Sequence, residues 1–177
     1  ENEVDIVEFK TGSMLLEAVA SGKVDVAVSA NSFYAQAIDM GLEAVAWSND
    51  LQEGHVCCRV VTRTELLSDQ DGEGYKRFLK ALIRAERIKN EDPQVAIKAA
   101  KEYMKVDDSV IETIVNDPHS NYSSDPSKKN VVAMWEQMKK IGYVENVDDI
   151  DVNDYVNIDP YERALSELIE EHPEDGY

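Results

Sequence analysis

Three short apolar runs separated by two helix-length stretches, all within the first 47 residues, restrict this chain most. Val4–Phe9 alternates apolar and acidic side chains, the period-two pattern of a strand with one covered face. Val24–Ser29 and Leu42–Trp47 are short and rich in valine, which predicts two further strands. Between them, Thr11-Gly12-Ser13 offers a turn and an N-cap. Met14, Leu15, Ala18 and Val19 then recur at helical spacing, and Gly22 suits the C-cap. Asn31 or Ser32 caps a second helical stretch that runs to Met40 and stops at Gly41. The order β-α-β-α-β predicts a parallel sheet with right-handed crossovers, hence an α/β class. A fourth strand is expected at His55–Thr62.

Beyond residue 62 the pattern turns helical. The spacing predicts a helix over 75–90 with Phe78, Leu79, Leu82, Ile83 and Ala85 along its apolar side. Another starts at Asp92-Pro93 and reaches about Lys105, and a third is capped by Asp107-Asp108-Ser109 and halts at Asp117-Pro118. A fourth opens at Pro126, carries Val131, Val132, Trp135 and Met138, and ends at Gly142. The last runs from Pro160 to about Glu171. An α/β unit, one more strand and a run of helices describe a chain that leaves one lobe and wraps another.

Charge narrows the partners. The 177 residues include 18 Lys and Arg against 36 Asp and Glu, a formal charge of −18. Nucleic-acid binding rests on neutralising phosphates with basic side chains, so the balance argues against that class and equally disfavours an anionic membrane surface. Solubility is the ordinary role of such a surface. The longest uncharged runs are too short to span a bilayer. The chain starts at Glu1 with no initiating Met, so an excised chain is expected, with any targeting segment upstream. Cys57 and Cys58 are adjacent, and on a strand they would point to opposite faces. They are expected as buried strand residues, too few for a structural zinc site.

A family resemblance emerges from these residues taken together. Ala18-Val19-Ala20-Ser21-Gly22-Lys23-Val24-Asp25 resembles the "ALASGEID" helix-to-strand passage of solute-binding proteins for nitrate, sulfonate, taurine and thiamine-precursor uptake. Glu53-Gly54-His55-Val56-Cys57-Cys58 is similar to their "PGHPCC" turn, and Phe78–Ala85 reads "FLKALIRA" as theirs does. Glu91-Asp92-Pro93-Gln94-Val95-Ala96 and Ile141-Gly142-Tyr143 follow in the family's order, and Tyr161–Leu165 resembles its tail. The resemblance implies a type II periplasmic-binding-protein-like fold, present in part. Residues 1–55 would be the second half of an inner lobe, and 56–177 the return strand and helical portion of the first lobe. It implies an extracytoplasmic component of an ABC uptake transporter, with a membrane permease as partner and a small polar or anionic ligand held in an interlobe cleft.

In open α/β sheets ligands sit beyond strand ends, where helix N-termini offer free N–H groups. Thr11, Gly12 and Ser13 after the first strand, and Ser29, Asn31 and Ser32 after the second, form the expected cradle. Ordinary N-capping explains the same residues equally well. Many family members carry "WEP" where this chain has Ala30-Asn31-Ser32, so the ligand is left open; Phe33 or Tyr34 could supply an aromatic wall. His55 is expected at a hinge or as a ligand contact.

No nucleophile–base pair or metal-ligand cluster stands at motif spacing, and His119 and His172 fall in loops without partners. The chain is therefore expected to be no enzyme and to need no cofactor or metal. A thiamine-precursor biosynthetic enzyme and a ligand-sensing domain are the rival readings. If the rest of the first lobe lies outside this chain, Phe78, Leu82, Ile83, Val131, Trp135 and Met138 lack cover, which predicts self-association, in the simplest case a homodimer.

Overall fold

The computed structural model describes residues 4–67, 69–120 and 122–177, with nothing drawn from the side chains of Asn31, Asp69, Gln70 and Asp71. Among the described residues its regular elements are all helices, and it contains no strand. The expected α/β sheet, and with it the binding-protein-like lobe, is thereby overturned. A strand exists only when its backbone groups pair in a ladder. Among the described residues no backbone hydrogen bond joins one of the segments 4–9, 24–29, 42–47 and 55–62 to another. Their valines have the right propensity and no partner. Val4, Ile6, Val28, Val45 and Val61 stand exposed to solvent, Val28 at 95%. Cys57 and Cys58, expected to be buried, are exposed as well, because no sheet covers them.

The helices themselves follow local sequence closely. α1 spans Gly12–Ala20, and its N-cap Thr11 accepts a hydrogen bond from the Met14 amide at 3.3 Å. Past its end, Gly22 takes φ +71°, donates to the Val19 carbonyl, and lets Lys23 reach Ala18 O. That double hook is a Schellman closure, and only the glycine tolerates its left-handed turn cheaply. A 3₁₀ turn at Asn31–Phe33 leads into α2, Tyr34–Asp39, whose cap residue Phe33 makes no side-chain cap bond. α3 is a single turn, Ser48–Leu51. α4 is the longest, Asp69–Glu91, and α5 covers Pro93–Tyr103. α6 is Asp108–Asn116, α7 Lys128–Lys140, and α8 Asp159–Glu171.

These helices form two compact units, each assembled from two separated stretches. One comprises Glu1–Trp47 and Pro93–Asn121, the other Ser48–Asp92 and Tyr122–Tyr177. In the first, α6 buries Val110, Ile111 and Ile114, an i, i+1, i+4 stripe, and Ala35 of α2 packs on Val110 and Ile114. α5 also packs against α6. Lys101 ties the two together through Asp108 at 2.9 Å and Glu112 at 3.2 Å.

In the second unit α4 lies along α8. Ile83 packs on Ala164 and Leu168, flanked by Leu79, Tyr161, Leu165 and Tyr177. Ala164 is fully buried, the small residue that lets the helices approach. Ile83, expected on an uncovered face, is thus covered by α8, whereas Phe78 remains half exposed. The ion pairs Lys76–Glu167 and Lys80–Glu171 advance together along the two helices, so α4 and α8 run in the same direction.

Two substitutions separate this arrangement from a sheet. Leu168→Ala should lower stability by about 2–5 kcal/mol through the cavity it opens between α4 and α8. Val28→Thr, at an exposed position, should change it by less than about 0.5 kcal/mol. Urea unfolding followed by helical circular dichroism measures both, and a large loss at Val28 would mean that this segment is covered.

Candidate functional site

The parallel course of α4 and α8 brings their first turns together, and a cavity of ≈ 200 Å³ opens there. Leu67, Gly72, Glu73 and Lys76 line it from the α4 side, and Asn157, Asp159, Pro160 and Arg163 from the α8 side. Gly72 permits the wall to form. A Cβ at that position would stand 2.8 Å from the Leu67 carbonyl oxygen, so the 3₁₀ turn Thr64–Leu67 can press on α4 only where no side chain intervenes. Pro160 occupies the first turn of α8, where its missing N–H costs nothing. Asn157 Oδ1 accepts the Asp159 amide at 3.0 Å and fixes the entry to that helix.

Charge around the cavity is balanced, in contrast with the acidic chain as a whole. Lys76 Nζ is held by Glu73 at 2.8 Å and Glu167 at 2.6 Å, and Lys80 Nζ by Glu167 at 2.6 Å and Glu171 at 2.9 Å. Hydrogen bonds from Lys76 and then Lys80 hold the Glu167 carboxyl below the usual carboxylate range. The same bonds raise both lysines above theirs, Glu167 being the largest cause for each. Among the described residues, Asp159 and Arg163, one helical turn apart on α8, enter no ion pair. An acid and a base with free valence therefore face the same small space, beside two helix N-termini that favour negative charge.

The residues expected from sequence to bind ligand lie elsewhere. Thr11 serves as the α1 cap, and Ser13 is exposed in the first turn of that helix. Gly12 is packed hard against Phe33: a Cβ there would fall 2.4 Å from the ring. The two halves of the expected cradle are thus brought side by side, with the Phe33 ring between them. Ser29 and Ser32 are exposed, Ser29 within 3.5 Å of the Ala30 carbonyl, and the Asn31 side chain lies outside the described set. His55 belongs to the other compact unit, on the turn after α3, where its amide donates to Gln52 O at 3.0 Å. His119, expected without a partner, stacks flat on Trp47 at 4.1 Å, and Tyr34 meets the same indole edge-on. His172 lies 3.8 Å from Glu174. The Asp159–Arg163 spacing is visible in the sequence, but their meeting with Lys76 is set by a helix pairing across about ninety residues that no local pattern announces.

No protein-family model, curated protein or solved structure matches this chain. Among the described residues no helix is long and apolar enough to cross a membrane, and no group of three or more His, Cys, Asp or Glu could hold a metal ion.

The lysine–glutamate ladder makes the α4–α8 pairing depend on pH. Glu167 is depressed, so its contribution is present above the ordinary carboxylate pKa and fades as pH falls through its lower folded value. Lys76 and Lys80 are raised, so theirs is present below the ordinary lysine value and fades as pH climbs through the raised ones. Helical melting temperature should therefore hold across roughly pH 5 to 10 and decline on both sides. Glu167→Gln should flatten the acid limb. An unchanged acid limb would remove Glu167 from the pairing.

Proposed function

We propose that this chain belongs to the solute-binding component of an ABC uptake system, acting outside the cytoplasm and handing a small ligand to a membrane permease rather than transforming it. The observation that carries the reading is the run of five motifs in family order, from Ala18–Asp25 through Gly54–Cys58 and Phe78–Ala85 to Asp92-Pro93 and Gly142-Tyr143. The reading rests on those motifs and on the chemistry of the polar cavity, with no sheet or interlobe cleft invoked. At ≈ 200 Å³ the cavity suits a molecule of few heavy atoms. Arg163 would take an anionic group such as a sulfonate or nitrate, and Asp159 an ammonium group at the other end of a zwitterion such as taurine.

Calorimetry with taurine, a short alkanesulfonate and nitrate, each titrated into the chain, tests this directly. Binding of at least one is expected, and Arg163→Ala should weaken it roughly 10- to 100-fold, the loss of one charge-assisted hydrogen-bonded contact. Ser13→Ala and Asn31→Ala should then change affinity little. Sensitivity to those two with indifference to Arg163→Ala would move the site to the start of α1. Failure of all three ligands to bind would sink the solute-binding reading.

A further inference from the structure

We infer that Cys57 and Cys58 form a two-thiol chelating site for a trivalent thiophilic centre, of which an organoarsenical is the accessible example. The inference is independent of the solute-binding reading. Both cysteines are free and exposed, and their Sγ atoms lie 3.5 Å apart. On a strand, consecutive side chains diverge to opposite faces. Here the segment has no ladder to hold it flat, and both thiols turn to the same side.

The distance selects the coordination chemistry. It is far longer than a disulfide bond of about 2.05 Å, and closing that bond between neighbours would pull against an adjacent Cα spacing of about 3.8 Å, shorter than disulfides normally use. Two metal–sulfur bonds of about 2.3 Å reaching sulfurs 3.5 Å apart enclose an angle of roughly 100° at the shared centre. That angle excludes a linear two-coordinate ion and matches a pyramidal one. A tetrahedral zinc site would need further ligands, and among the described residues no third His, Cys, Asp or Glu joins the pair in a metal-holding group. A pyramidal arsenic(III) that carries its own organic substituent needs two thiolates and nothing more. Softness favours it too, since thiolate sulfur prefers soft, polarisable centres.

The neighbours bear on the proton that must leave. The Cys58 sulfur, hydrogen-bonded to Cys57, pushes the Cys57 thiol upward. Arg59 is bent back, its Nη1 donating to the Cys58 carbonyl at 2.6 Å, and its positive charge lowers the Cys57 thiol in opposition. With phenylarsine oxide the reaction balances without any oxidant. Two S–H bonds and the arsenic–oxygen bond break, two As–S bonds form, the two protons leave with the oxygen as one water, and arsenic stays trivalent.

Phenylarsine oxide added to the reduced chain, followed by intact-mass spectrometry and thiol titration, tests the site. One arsenic per chain is expected, with loss of one water and of both titratable thiols. The adduct should survive excess glutathione and be stripped by dithiothreitol. Cys57→Ser and Cys58→Ser, both at exposed positions and checked for unchanged helical circular dichroism, should each release the arsenical about 100-fold more readily, the loss expected when a chelate becomes a single contact. An adduct that glutathione washes out of the unaltered chain, or one that either serine variant retains, would overturn the proposal. The first of these outcomes would also mean that the thiols point apart, as they would on a strand.

Discussion

The contact between α4 and α8 at Ala164 organises everything else in its compact unit. Ala164 has no exposed surface, so the α4 backbone and Ile83 can settle onto α8 without a gap, and Leu168 fills the next layer. A larger residue at 164 would hold the helices apart. Because the helices run parallel, their first turns meet at one end and form the polar cavity. At the other end Arg87 of α4 reaches Asp175, in the 3₁₀ turn past α8, at 3.0 Å and lies over the Tyr177 ring. Both ends are consequences of one packed layer, with the Lys76–Glu167–Lys80 ladder setting the direction and register.

Electrostatics adds a second constraint. A chain with formal charge −18 repels itself, and its basic residues are scarce enough that their placement matters. Lys76, Lys80, Arg87 and Lys101 each hold two carboxylates at helix contacts. Mutual ion pairs on an exposed surface contribute little individually, and here they act as a network on partly covered side chains. Glu86 plays the converse role. It accepts both the amide and the hydroxyl of Ser124, fastening the segment before α7 onto α4. Among the described residues Arg163 is a cation that lines the cavity without an ion-paired carboxylate.

Helices were legible in the sequence and the sheet was misread, for related reasons. A helix closes its hydrogen bonds locally, so Thr11, Gly22, Gly41 and Gly142 announce its ends to within a residue or two; all three glycines take φ above +70° at a helix end. A strand signal states only that a segment would sit well in a ladder, and the ladder is supplied from elsewhere. Val4–Phe9 and His55–Thr62 carry that signal and find no partner among the described residues. The cradle residues were legible as helix starts, since Thr11 caps α1, and their reading as ligand contacts required the strand ends that the sheet would have provided. Lys76 and Arg163 were illegible for the opposite reason, because nothing local marks two residues whose neighbourhood depends on a distant helix pairing.

The missing ladder also has an energetic side. Burying a valine or isoleucine side chain is worth about 1.5–3 kcal/mol, so exposed Val4, Ile6, Val28, Val45 and Val61 leave a large favourable contribution unused. Stability falls instead to helical cores, centred on Ala35 with Val110 and Ile114 in one unit and on Ile83 with Ala164 and Leu168 in the other, with Leu16, Ala18, Ile97 and Ile111 also buried. A net stability of only several kcal/mol is the ordinary margin for a folded domain, and cores of this size leave little in reserve. The helical contacts in that second unit are accordingly reinforced by ion pairs and by the close-packed Ala164 between α4 and α8. The irregular segments are released from that demand. Freed from a ladder, residues 55–62 can turn Cys57 and Cys58 to one side, so the loss of sheet order is what creates the paired thiols.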